Sequence, residues 1–466
     1  MKNSSGAMRC RPARDLVSPP TDPRLAAYEV LRSVEEKGAY ADRALDGKLS
    51  RQPGLDDRDR GLATELVYGV LRRRGTLDRA LEPYARKSLD RVDPEILRLL
   101  RIGAYQILFL DRVPDHAAVH VSVELSNRVG RPGAGRFVNA VLRSLCRAKG
   151  EKGREDLVRQ AAQGRADFPS WLVDLWKSDL GAQKTNGLLA ALLQQPEILL
   201  RANSLKTDRD GLIESLGREG LLSEPVRGLP SAVRLLKGGD IRRTRCYQDG
   251  LCIQQDGASQ LIVDLLAPRP GERVLDLCAA PGVKTTHIGA TMENAGLVVA
   301  QDLNLPRLRE LRTLCQRLGV SIAAALCTDA ARPESLCLPE GFFDRVLVDA
   351  PCSGLGVLRR SPEKKWRPAP DFGILAETQG RLIATAASLL RKGGVLLYST
   401  CTVNRRENEE VIQGFLARHP DFAPEDLSRI LPVDSRDLVS EAGTFCSWNR
   451  PAAFDFFYAA RLRRLG

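Results

Sequence analysis

The chain has 466 residues, 43% of them hydrophobic, and 70 Lys and Arg against 58 Asp and Glu give a formal net charge of +12. That length exceeds one ordinary core, and the apolar share is enough to bury two or three. No run approaches the ~18–20 apolar residues of a spanning helix, residues 1–20 lack the apolar stretch of a signal peptide, and the 11 Cys include no C-x-x-C pair. These features favour a cytoplasmic monomer with reduced thiols, no structural metal and no membrane association. The basic balance favours an acidic partner, nucleic acid before anything else.

In chain order, residues 22–149 read as helices. Asp22-Pro23 offers a cap and a first-turn proline, and Ala27, Val30, Leu31 and Val34 then repeat at helical spacing until Gly38. Ala63, Leu66, Val67 and Val70 form a second stripe, Asp93-Pro94 opens "EILRLLRIGAYQILFL", and "GRFVNAVLRSLCR" reads as a last amphipathic helix. The expectation is a helical bundle whose exposed basic residues include Arg72, Arg73, Arg74, Arg79, Arg128, Arg131 and Arg136. Residues 150–245 hold a polar linker, 150–168, and then a small α/β unit in which "WLVDLWKSDLG" is helical, "EILLRANSLKT" a strand and "RDGLIESLGREG" a helix.

Residues 246–466 alternate strand-length apolar runs with helical segments: "RVLDLC", "GLVVAQD", "SIAAALCTD", "DRVLVDAP" and "GGVLLYSTC". That alternation predicts a parallel, doubly wound, Rossmann-like sheet, which binds ligands at the carboxyl ends of its strands. Asp276, Asp302, Asp329, Asp349, Cys352 and Cys401 all fall at such ends. The turn "DLCAAPGVKTT" is not a triphosphate loop, because Cys278 and Val283 stand where that loop needs glycine. Asp302 follows the turn at about the distance at which an acid grips a ribose hydroxyl, favouring a nucleoside ligand without phosphates. A lone strand-end Asp is commonly only a helix cap and a lone strand-end Cys a small buried hydrophobe; four acids and two motif-embedded thiols on one edge are harder to read that way.

"DLCAAPGVKT", "DAPCSGLG" and "YSTCTVNRRENEEVI" closely resemble the signature motifs of the RsmB/Sun family of S-adenosylmethionine-dependent RNA cytosine-5 methyltransferases. The N-terminal helices resemble the NusB-type RNA-binding domain of its RsmB branch. The resemblance covers about residues 22–466 and implies an all-α NusB-like bundle, a small α/β RNA-binding unit and a Rossmann-like methyltransferase domain. It further implies methylation of C5 of a 16S ribosomal RNA cytosine, usually at position 967, in naked RNA or a partly assembled small subunit. Val283 departs from the glycine common in the family, "RRSPEKKW" (359–366) is a looser version of its segment, and residues 1–21 have no counterpart.

Carried over residue by residue, the family pattern puts the cofactor loop on Cys278, Ala279, Ala280, Pro281, Gly282, Val283 and Lys284. Asp302 would hold the ribose of S-adenosylmethionine, and Asp329 would lie beside the adenine. Asp349 would lie near the methionine end and position the target base. Cys401 matches the nucleophile that adds to cytosine C6, and Cys352 the residue of product release. Three alternatives stand beside this reading: the same chemistry on another RNA, an amino-group methyltransferase, and a non-catalytic RNA-binding or antitermination factor. Against the amino-group enzyme, Pro351 is followed by Cys352 and no aromatic residue.

Overall fold

The apolar stripes spaced at three and four residues close a helical bundle. In the computed structural model, which describes residues 22–162, 166–237, 239–332, 336–451 and 453–466, it comprises α1 (Pro23–Lys37), α2 (Ala41–Ser50), α3 (Asp57–Leu81), α4 (Pro94–Phe109), α5 (Asp115–Arg128), α6 (Gly135–Lys152) and α7 (Arg154–Ala161). Asp22 and Asp93 cap α1 and α4 ahead of first-turn prolines, and Gly38 ends α1 with φ 63°. Helix α4 is the central rod, buried nearly all round. Its Arg98 and Arg101 are satisfied by Glu35 and Asp78 at 2.9 and 2.7 Å.

Two expectations change here. The 150–168 linker contains α7, whose Leu157 and Ala161 are buried; so few apolar positions leave too little periodicity to register. Of the arginines expected on the surface, Arg79, Arg131 and Arg136 are exposed, Arg73, Arg74 and Arg128 half-buried, and Arg72 buried. Helix α3 breaks at Arg73 (φ −108°, ψ 16°), and this turn faces the C-terminal domain. Arg72 Nη2 donates to the Arg359 carbonyl at 3.1 Å, and the Arg74 guanidinium lies 5.2 Å from the Trp366 ring centre. These residues make a seam between domains.

The second unit follows α8 (Ser170–Leu192), which turns at Gly181. Strands β1 (Ile198–Ala202), β2 (Leu222–Pro225), β3 (Ala232–Lys237) and β4 (Cys252–Gln254) form an antiparallel sheet in the order β2-β3-β1-β4. Helix α9 (Arg209–Arg218) and the short α10 (Arg245–Gln248) connect them.

The C-terminal sheet holds β5 (Arg273–Leu277), β6 (Leu297–Asp302), β7 (Ala323–Cys327), β8 (Phe343–Asp349), β9 (Leu390–Thr400), β10 (Phe422–Glu425), β11 (Phe445–Cys446) and β12 (Tyr458–Arg464). The order is β10-β12-β9-β8-β5-β6-β7, with β11 against β12. Helices α14 (Phe372–Leu389) and α15 (Glu409–Arg418) cover one face through Leu382, Ile383, Val411 and Phe415. On the other, α11 (Gly257–Leu266) and α12 (Val283–Thr291) bring Ile262, Leu265 and Ile288 against Val274, Leu347 and Leu397. Helix α13 (Leu305–Leu318) links β6 to β7.

Strands β5 to β9 are parallel as expected, but the sheet as a whole is mixed. Strand β12 runs antiparallel to β9, and β10 antiparallel to β12. Among the described residues no crossover helix precedes β12, and the chain turns back along β9 instead of re-entering in parallel. Its arginines hide it from a hydrophobicity pattern, and Arg461 and Arg463 close ion pairs with Glu425 at 2.7 and 2.6 Å. Among the described residues no helix is long and apolar enough to cross a membrane.

Candidate active site

Parallel register brings the strand ends to one edge. Leu277 lies beside Gln301 and Val348, Asp349 beside Ser399, and Asp302 beside Cys327. The chain visits β6 and β7 on one side of β5 and then β8 and β9 on the other, so the edge at β5 is a topological switch point. The turn after β5 therefore sits between two groups of side chains: Asp302 and Asp329 on one flank, Asp349, Cys352 and Cys401 on the other.

The turn itself is tightly specified. Cys278 and Gly282 have φ of 62° and 100°, and a Cβ on Gly282 would come within 2.6 Å of Leu311 Cγ. Asp302 braces the turn, its Oδ2 accepting from the Ala280 amide at 3.0 Å and its Oδ1 from Asn304 at 2.8 Å. Each carboxylate oxygen keeps further lone-pair capacity for a hydroxyl pair, and Leu303 next to it is 69% exposed. Acceptors beside an open apolar surface fit a nucleoside. Asp276 is fully buried; its Oδ2 takes the Thr285 hydroxyl at 2.7 Å, while Oδ1 has no partner among the described residues. Burial pushes the Asp276 carboxyl up to about 7.

Asp329 accepts from the Ala331 amide at 3.0 Å and faces Arg332 Nε at 3.5 Å. Val283 opens α12 and packs, partly buried, against the cluster containing Leu308 and Leu311. Burial raises the Cys278 thiol well above its ordinary value, consistent with an inert side chain in the loop.

On the other flank the two thiols meet, Cys352 Sγ lying 3.3 Å from Cys401 Sγ. They shift in opposite directions. Cys401 is lowered, first by the hydrogen bond from Cys352 and against burial, with Lys364 and Lys284 adding positive charge. Cys352 is raised by that same hydrogen bond, by burial and by the charge of Cys401 and Glu407. Of the two directions this contact allows, the ammonium groups of Lys364 and Lys284 favour Cys401 as the acceptor. Asp349 lies alongside, its Oδ2 bound by Lys284 Nζ at 2.7 Å and its Oδ1 by the Ser399 hydroxyl at 2.9 Å. Burial pulls Lys284 down, but the Asp349 carboxylate outweighs it and leaves the ammonium raised.

Beneath the thiols sits Glu407, fully buried, which the sequence reading did not single out. Its Oε2 accepts from the Ser353 amide at 2.8 Å and Gln379 Nε2 at 3.2 Å. Its Oε1 accepts from the Ser353 hydroxyl at 2.5 Å and Asn404 Nδ2 at 3.1 Å. The Ser353 hydroxyl also lies 2.8 Å from Thr402 Oγ1, and Asn408 Nδ2 donates to the Thr402 carbonyl at 3.0 Å. One carboxylate thus ties the loop of Cys352 to the loop of Cys401. In "NRRENEEV" the Asn and Glu residues look like a helix start, which concealed that Asn404, Glu407 and Asn408 are buried.

Three family descriptions match this chain: 16S rRNA methyltransferase RsmB/F over residues 263–463, the NusB family over 21–147, and the RsmF/B-like ferredoxin-like domain over 168–242. A Bacillus subtilis (strain 168) protein named "Probable ribosomal RNA small subunit methyltransferase B" is 39% identical over 425 residues, covering 90% of this chain and 94% of its own. The chain belongs to the RsmB/F family of 16S ribosomal RNA methyltransferases. A Pseudomonas putida relative, "Ribosomal RNA small subunit methyltransferase B", is 33% identical over 448 residues, covering 95% and 99%. The crystal structure of PH0851 superposes with a TM-score of 0.76 at 26% identity, covering 95% of this chain and 98% of that one. The family is S-adenosylmethionine-dependent, and the nucleoside-shaped flank at Asp302 fits that cofactor.

Proposed function

We propose that the protein methylates C5 of a cytosine in 16S ribosomal RNA through a covalent bond between Cys401 and C6. The observation that carries this reading is the thiol pair at 3.3 Å, with Cys401 tuned down and Cys352 tuned up. Cytosine C5 is a weak nucleophile. Addition of a thiolate to C6 converts the ring to an enamine, whose C5 is a strong one. A free thiol, at pKa about 8.5, is only a few per cent thiolate at neutral pH, and the lowering of Cys401 raises that share.

Asp349 serves the target base. Its carboxylate, held by Lys284 Nζ at 2.7 Å, can accept from the 4-amino group and so orient the base, and the Lys284 ammonium beside it offsets the charge that builds there. When bound, S-adenosylmethionine supplies the electrophilic methyl that C5 takes up; the turn 278–284, Asp302 and Asp329 would hold it. In release the C5 proton passes to a solvent base, its electron pair restores the 5,6 double bond, and the C6–S bond breaks to expel the Cys401 thiolate. Cys352 assists this step, since its S–H can meet the departing sulfur. The base must leave its stack to reach the pocket, which single-stranded or loop RNA makes less costly.

The test is methyl transfer to 16S ribosomal RNA followed by nucleoside mass spectrometry. 5-Methylcytosine that is absent with Cys401→Ala supports the reading; 4-methylcytosine, or no product, refutes it.

A further inference from the structure

The segment Ser361–Arg367 faces two ways. On one side it is fastened to the helical bundle at the break in α3, beside the non-helical Arg73. Trp366 Nε1 donates to the Leu71 carbonyl at 2.7 Å and Lys365 Nζ to the Arg72 carbonyl at 2.8 Å. Lys365 is 1% exposed, with its ammonium 4.4 Å from the Phe168 ring centre, and Arg367 Nη2 reaches the Gly38 carbonyl at 2.8 Å.

On the other side stands Lys364. Pro362–Trp366 is a 3₁₀ turn, in which successive side chains point about 120° apart, so Lys364 diverges from its buried neighbour. Its ammonium lies over the Gly354 turn, close enough that a Cβ on Gly354 would sit 2.5 Å from Nζ. That turn is part of the Cys352 loop, and two residues on, the Gly356 amide donates to the Cys401 carbonyl at 2.9 Å.

We propose that Lys364 is a positioning residue that stabilises the Cys401 thiolate, and that the helical bundle holds it there by gripping Lys365 and Trp366. The bundle then contributes to catalysis through the seam as well as to RNA binding. The groups facing Cys401 are Cys352, Lys364, Asp349 and Lys284, with Glu407 behind Cys352. Asp349 opposes the thiolate and is engaged by Lys284 at 2.7 Å, whereas among the described residues Lys364 closes no ion pair within 4.0 Å and the carboxylate whose charge reaches it is Glu363, its neighbour in the same turn. Lys364 is thus the ammonium whose charge is most fully available to the sulfur. The inference rests on the reading of Cys401 as nucleophile.

The test is the pH profile of Cys401 alkylation by iodoacetamide in the full chain without RNA or cofactor, read peptide by peptide by mass spectrometry. Lys364→Gln should raise the midpoint by about 0.5 to 1 pH unit, and Lys364→Arg should restore it. Trp366→Phe keeps the ring but deletes the donor to Leu71, and Lys365→Met keeps the stem but deletes the donor to Arg72. Either, if folded as wild type by circular dichroism, should move the midpoint the same way. An unmoved midpoint in Lys364→Gln overturns the role of Lys364, and one unmoved in both seam variants overturns that of the bundle. Were Cys401 not the nucleophile, the midpoint would still shift while covalent capture of RNA failed, so the two failures are distinguishable.

Discussion

Glu407→Gln changes one atom at the centre of the thiol loops. The carboxylate accepts four hydrogen bonds, two from Ser353 and one each from Gln379 and Asn404. The amide does best with its oxygen toward the Ser353 amide and Gln379. Its nitrogen then faces the Ser353 hydroxyl, which can turn to Thr402 Oγ1 and accept, and Asn404 Nδ2, which cannot. One charge-assisted bond becomes a donor–donor contact and the others lose their ionic strength, a cost of about 2–4 kcal/mol. Because the Ser353 amide is held by that carboxylate, hydrogen exchange at Ser353 should accelerate by about 30- to 900-fold, with the turn at Cys352 loosened and methylation lowered. An exchange rate within threefold of wild type would refute the assignment of Glu407 as the tie between the two loops.

Arg136→Ala should reduce the slope of log affinity for RNA against log salt by about 0.9, as expected of an exposed phosphate contact. Arg72→Met should leave that slope alone and destabilise the seam by about 1–3 kcal/mol, measured by urea unfolding; a changed slope would return Arg72 to the RNA face. Asp302→Ala should weaken S-adenosylmethionine by about 10- to 160-fold in calorimetry, unchanged affinity removing it from the site. Asp276 is raised to about 7 in the fold, so between pH 4 and 7 the native state binds the extra proton; its contribution to stability is therefore lost as pH rises toward 7. Asp276→Asn should flatten that decline in urea titrations of the cofactor-free protein, and a decline identical to wild type would contradict it.

Much of the site was legible because it lies on strand ends, where a strand pattern fixes position along the chain and parallel register fixes it in space. Cys352 and Cys401 follow adjacent strands, and their meeting is a direct consequence of pairing Asp349 with Ser399. What was hidden had two causes. Buried polar groups imitate surface ones in sequence: Glu407 resembles a first-turn helix acid until the Cys352 loop and α14 supply its partners, and Arg72 the start of a solvated basic run until a second domain supplies its own. Strand β12 combines alternating arginines with an antiparallel return, so neither its composition nor the βα rhythm before it announces a strand. Lys364, half-buried, was hidden too, since nothing in "SPEKKW" distinguishes it from its buried neighbour Lys365.

The central claim is the division of labour between two thiols in contact, and covalent capture tests it most directly. Each variant would be incubated with 16S ribosomal RNA and S-adenosylmethionine and run on a denaturing gel. Cys352→Ala should leave a slow-migrating protein–RNA band that depends on the cofactor, because attack by Cys401 proceeds and expulsion stalls. Cys401→Ala and the double variant should give neither band nor 5-methylcytosine. A band with Cys401→Ala and none with Cys352→Ala would reverse the roles, and methylation unaffected by either change would contradict the covalent mechanism altogether.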